Sequence, residues 1–85
     1  MYLEEPLSLL RLRVVADADL LAVICVVQRF HNLNIVPRRI SAEFGTDHRL
    51  HIEVDVIGLP KQQLGLVADK IGQAPSIHHT HWYLL

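Results

Sequence analysis

The 85-residue chain predicts a single α+β sandwich with the element order βαββαβ. Three stretches carry that expectation. The unbroken apolar run Leu20–Val27 stands directly behind two aspartates of the kind that cap helices. The segment Arg49–Ile57 alternates apolar and polar residues at a period of two, as a half-buried strand does. Leu64, Val67, Ala68 and Ile71 recur at i, i+3, i+4 and i+7 behind Pro60, which marks a second amphipathic helix.

The elements follow in order. Met1–Glu5 reads as a lead-in, and Pro6 favours an extended entry. Ser8–Val15 is the first strand, with Leu10, Leu12 and Val14 on one face and Leu9, Arg11, Arg13 and Val15 on the other. Asp17 or Asp19 caps the first helix, whose stripe is Leu20, Leu21, Ile24 and Val27. Its opposite side is also apolar, so Val23, Val26 and Phe30 are expected to meet a second copy of the chain. Asn32 and Asn34 tolerate left-handed backbone and mark the exit turn.

The second strand is expected over Ile35–Phe44, with Pro37 placing its start at an edge. Gly45-Thr46-Asp47 suits a hairpin. In the third strand Leu50, Ile52, Val54 and Val56 point inward, and His51, Glu53 and Asp55 outward. The second helix presents Lys61, Gln62, Asp69 and Lys70 to solvent; Gly65 weakens it and Gly72 ends it. Ser76–Tyr83 is the last strand. One domain therefore fills 1–85, with its core over about 8–83. The arrangement is a ferredoxin-like sandwich, a four-stranded antiparallel sheet with two helices on one face. Right-handed crossovers place strands one and three in the middle.

Composition narrows the function. A chain this short buries only about 60–65% of its unfolded surface, and its lone cysteine, Cys25, cannot form an internal disulfide. With 51% hydrophobic residues, some apolar surface is expected to be covered by another chain, as a homodimer or higher oligomer. A net charge of -1 speaks against nucleic acid. Eight consecutive apolar residues are far fewer than the roughly 20 of a membrane span. The acidic start MYLEEPLS is unlike a secretory signal, so a cytoplasmic protein is expected.

Enzyme signatures are missing from the sequence: no nucleotide-binding glycine loop, no G-x-S-x-G and no CxxC. His78-His79-Thr80-His81 places only His79 and His81 on one strand face, with His51 as a further candidate. Zinc takes three or four ligands, so a polar outer face is the preferred reading and no metal is expected. Arg38 and Arg39 point to opposite faces and form no cluster, and strand three displays no aromatic residue for base stacking. Trp82 and Tyr83 are candidates for core packing or an interface.

Asp17–Ile40 resembles an ACT domain, a small regulatory module of amino-acid metabolism. Leu20-Leu21, Ile24 and Val27 match that family's V-L-x-x-I-x-x-L helix pattern, and Asn32-Leu33-Asn34-Ile35 matches its G-F/Y-N-I turn. The resemblance extends over about Leu10 to Trp82. In length and start it is similar to the short regulatory subunit of acetohydroxyacid (acetolactate) synthase, of branched-chain amino-acid biosynthesis. It implies a non-catalytic module without a cofactor, dimeric, docked on a thiamine-diphosphate-dependent large subunit. An amino-acid effector is implied at the dimer seam. Asn34 inherits the ligand role, with Asp17, Asp19, Leu20 and Ile35 beside it. The family's glycine is replaced by Asp19 and its loop asparagine by Ala16, so weak or absent amino-acid feedback is expected. The alternative is a free-standing ACT-type sensor, whose aspartate pair would suit an amine or cation. A small ferredoxin-like enzyme is the remote alternative.

Overall fold

The computed structural model describes residues 8–85; the lead-in with Pro6 lies outside the described residues. The element order is β1 (Leu9–Asp17), α1 (Leu20–Asn32), β2 (Arg39–Phe44), β3 (Arg49–Ile57), α2 (Lys61–Gly72) and β4 (Ile77–Leu84). The four strands form one antiparallel sheet in the order β2-β3-β1-β4, so β1 and β3 are central as expected. Leu10, Leu12, Val14 and Ala16 of β1 and Leu50, Ile52, Val54 and Val56 of β3 are buried beneath the helices. From α2 the same core receives Leu64, Val67, Ala68 and Ile71, the stripe read from the sequence.

The first helix is turned the other way from the sequence reading. Ala22, Val26 and Phe30, at i, i+4 and i+8, are its buried residues, and Val23 packs half-buried beside them. Leu20, Leu21, Ile24 and Val27 are the exposed ones. Val26 and Phe30, expected at a subunit interface, are therefore core residues that a partner cannot reach, and Val23 is largely taken up by the core. A segment apolar all round carries no period from which its inward face can be read. Volume decides instead: Ala22 lets the helix start approach the sheet, and Phe30, the largest fully buried side chain, fills the far end.

The helix ends in a Schellman turn. Asn34 adopts φ 55, its N–H donates to the His31 carbonyl, and the Ile35 N–H donates to that of Phe30. Ile35 is consequently spent on closing α1 and packs against the core, and β2 begins only at Arg39. The expected strand over Ile35–Phe44 is shortened because Pro37 follows this turn and has no N–H for the ladder.

β4 joins β1 with a register shift between Val15 and Ala16: Val15 lies opposite His79 and Ala16 opposite Ile77. His78 is the extra residue of this bulge. The shift keeps Ile77 buried while turning His79, His81 and Tyr83 to the open face of the sheet. Behind it, Trp82 packs over α2, where a Cβ on Gly65 would meet its ring at 3.4 Å, an ordinary contact. Gly65→Ala is thus expected to add up to about 1 kcal/mol of stability through helix propensity alone. Urea unfolding of the variant checks this, as a higher midpoint at unchanged slope.

Candidate functional site

Three surfaces bear on the residues singled out in the sequence. The first is apolar. Leu20 (77% exposed), Leu21 (65%), Ile24 (57%) and Val27 (42%) run along α1. On the neighbouring edge strand β2, Phe44 is 60% and Ile40 39% exposed, although both point to the helix side of the sheet. The two helices cover β1, β3 and β4 and leave β2 bare. Ala18, Asp19, Leu20, Phe44 and Leu50 line one shallow cavity of about 340 Å³, which joins the helix start to the strand end. An uncovered edge strand beside a row of exposed large aliphatic residues is a surface that soluble proteins ordinarily protect.

The second surface comprises the two ends of α1, which carry the residues read as ligand-binding. Asp19 is the N-cap, its Oδ1 accepting from the Leu21 N–H at 2.9 Å. Asp17 ends β1; its carboxylate accepts from His78 Nε2, and its own N–H donates to the Ser76 carbonyl. Leu20 is the first helical residue. Asn34 and Ile35 stand at the other end, about 20 Å away for a 13-residue helix. Within one protomer, then, Asp17, Asp19 and Leu20 come together, while Asn34 and Ile35 do not join them. Asn34 has a backbone duty here, since its left-handed conformation closes the helix.

The third surface is the open face of the sheet. Strand register sets Arg39, Asp55, Arg11 and Tyr83 in one row and Ser41, Glu53, Arg13 and His81 in the next. Arg11 Nε and Nη2 donate to the two Asp55 oxygens at 2.7 and 3.0 Å, and Arg39 Nη1 stands 3.6 Å from Asp55 Oδ2. Glu53 pairs with Arg13 at 3.2 Å and Arg39 at 3.3 Å. Asp55 lies on the outer face that the alternation predicted, yet it is only 5% exposed. The hydrogen bonds from Arg11 hold its carboxyl below the usual range, against the opposing effect of burial.

One end of this face holds the histidines. His51, His79, His81 and Arg13 line a trough of about 310 Å³ floored by Val15. His79 stacks on His81 with ring centroids 6.5 Å apart, and His51 Nε2 lies 3.0 and 2.9 Å from the two oxygens of Asp47. That contact, with the Arg49 N–H, holds the Asp47 carboxyl below its ordinary value. Among the described residues, no three His, Cys, Asp or Glu side chains are grouped to hold a metal ion. No described helix is long and apolar enough to cross a membrane.

Sequence reasoning missed the Arg11–Asp55 pair. Its signal was present as Arg11-x-Arg13 and Glu53-x-Asp55, two like-charged i, i+2 pairs of opposite sign on adjacent strands. Register, which the sequence does not state, decides which arginine meets which acid.

No protein-family model matches the chain, and no curated protein matches it. Solved structures of the same fold do. The C-terminal domain of the MgtC protein from Mycobacterium tuberculosis superimposes with a TM-score of 0.76 at 19% identity, over 99% of this chain and 94% of that one. The ACT domain of the GTP pyrophosphokinase of Chlorobium tepidum gives 0.74 at 12% identity, over 91% and 99%. A putative glycine cleavage system transcriptional repressor gives 0.73 at 17% identity; all of this chain matches 52% of that one. These likenesses establish the ACT-like ferredoxin fold.

Proposed function

We propose that this chain is a non-catalytic regulatory module of the ACT type that works as a homodimer closed over α1 and the edge strand β2. One observation carries the reading: four large aliphatic residues of α1 stand exposed near an edge strand whose helix-side residues Ile40 and Phe44 are also bare. A two-fold axis beside β2 would pair the two edge strands and bury both aliphatic rows in one step. Such an axis runs the two copies of α1 antiparallel. The Asp19 end of one helix then faces the Asn34 end of the other, and the seam assembles the ligand residues that one protomer keeps about 20 Å apart.

The finer proposal is a regulatory subunit of acetohydroxyacid synthase that docks on the catalytic subunit. The helix and turn patterns of Asp17–Ile40 support it, as does the fold shared with the ACT domain of a GTP pyrophosphokinase. On this reading a carboxylate effector binds weakly, because the Asp19 side chain already occupies the Leu21 N–H that such a ligand would use. The second reading, a free-standing sensor, rests on the same residue. Asp17 and Asp19 side by side at an exposed helix start favour an amine or a cation over an amino-acid carboxylate.

Light scattering on the eluting protein tests both levels. The parent chain is expected at twice the protomer mass, and Ile24→Asp at the protomer mass with its fold intact. A monomeric parent at ~100 µM would sink the dimer. In a second arm the parent is mixed with purified acetohydroxyacid synthase large subunit; separate elution would remove the finer proposal and leave the dimer standing.

A further inference from the structure

A groove between the two helices lies away from the proposed seam and has a different chemistry. Gln63, Leu66 and Lys70 recur at i, i+3 and i+7 and form a row along α2. Arg29 and Leu33 face them from the end of α1, and Val67 closes the floor. The cavity measures about 390 Å³, within the range of small-molecule sites. Leu66, in the middle of α2, is 69% exposed and Leu33 44%, so the floor offers aliphatic surface that the fold leaves uncovered. Arg29 and Lys70 make no ion pair among the described residues, and no carboxylate lines the groove.

We infer that this groove binds an aliphatic carboxylate, with its chain on Leu33, Leu66 and Val67 and its anionic end between Arg29 and Lys70. Charge selects the class. Two cations in a groove that no described carboxylate lines attract a carboxylate and oppose the ammonium group of an amino acid. Gln63, two turns or about 10 Å from Lys70 along α2, closes the opposite end of the groove with a neutral amide. The site thus discriminates between a carboxylic acid and the amino acid of the same carbon skeleton. That selectivity is the opposite of the one expected at the Asp17–Asp19 end of α1. It goes beyond the homodimer reading and does not depend on it, because none of the groove residues belongs to the Leu20–Ile24–Val27 row.

Three six-carbon probes test the inference: hexanoate, 1-hexanol and norleucine, titrated into the ¹⁵N-labelled full chain. Hexanoate is expected to shift the backbone amides of Arg29, Leu33, Leu66 and Lys70 saturably. Hexanol, which lacks the charge, and norleucine, which adds an ammonium, should bind about tenfold more weakly. Octanoate should bind two- to about tenfold more tightly than hexanoate, since two further methylenes contact the floor. Arg29→Gln with Lys70→Gln should abolish the preference of hexanoate over hexanol. Both cations also sit in the last turns of their helices, so the double variant is first checked for a dispersed spectrum. If it does not fold, the preference among the three probes on the parent protein decides. Equal binding of hexanoate and hexanol, tighter binding of norleucine, or shifts located at Leu20 and Ile24 would each overturn the assignment, as would the absence of a saturable shift. Loss of the dimer in Ile24→Asp should leave hexanoate binding unchanged, which separates this site from the proposed seam.

Discussion

Phe30→Ala is expected to lose about 3–5 kcal/mol, most of the stability of a domain this size, whereas Ile24→Ala, on the same helix, costs the protomer under about 0.5 kcal/mol. Phe30 is 1% exposed and is the largest side chain fully enclosed by the sheet and the two helices; removing its ring leaves a cavity that Ala22 and Val26 are too small to close. Ile24 is 57% exposed, so shortening it opens no cavity in the core. Chemical unfolding of both variants, at concentrations low enough for the protomer to dominate, checks the pair. The comparison is diagnostic because the sequence pattern argues the reverse: Ile24 in the stripe and Phe30 at an interface. Equal losses, or a larger one at Ile24, would mean that α1 is rotated from the orientation described.

That disagreement marks where the sequence was informative. In β3 polar residues alternate with apolar ones from Arg49 to Asp55, and in α2 Lys61, Gln62, Asp69 and Lys70 mark the outside, so the period reports the buried face, and Leu50, Ile52, Val54, Val56, Leu64, Val67, Ala68 and Ile71 were readable without a structure. In α1 the run Leu20–Val27 has no polar residue to mark the outside, so the element was readable and its rotation was not. The consequence reaches function, because the row that faces outward is Leu20, Leu21, Ile24 and Val27 rather than Val23, Val26 and Phe30. An apolar excess demanding cover was legible from composition; which residues present it depends on packing volume in three dimensions. Asn34 was legible as a turn residue from its type, and its left-handed conformation bears that out. Its distance from Asp19 follows from helix length, which the sequence also contains. The buried charge at Asp55 was hidden for another reason, since alternation assigns a face and does not say what covers it.

Asp55 gives the second large effect. Arg11→Met is expected to destabilise the domain at neutral pH by about 2–3 kcal/mol, through the aspartate it abandons. A carboxylate 5% exposed that loses two hydrogen bonds from a guanidinium has few alternatives. Arg39 at 3.6 Å softens the loss without replacing the geometry, because it is already engaged by Glu53 at 3.3 Å. Acid should then erase the difference between parent and variant. The folded-state pKa of Asp55 is lowered by the hydrogen bonds from Arg11, so its contribution is complete above the unfolded value of about 4 and disappears as pH falls through the folded one. Below both values the carboxyl is neutral in folded and unfolded chains alike, and the guanidinium has no charge left to neutralise. Unfolding free energies of parent and variant should therefore differ most at pH 7 and converge as the pH is taken below 4. Asp55→Asn supplies the control, because it removes the charge and keeps the shape: its own deficit should shrink over the same interval. A parent–variant gap that stayed constant down to pH 2 would assign the role of Arg11 to packing of its methylene stem over the sheet, and not to the charge it holds against Asp55.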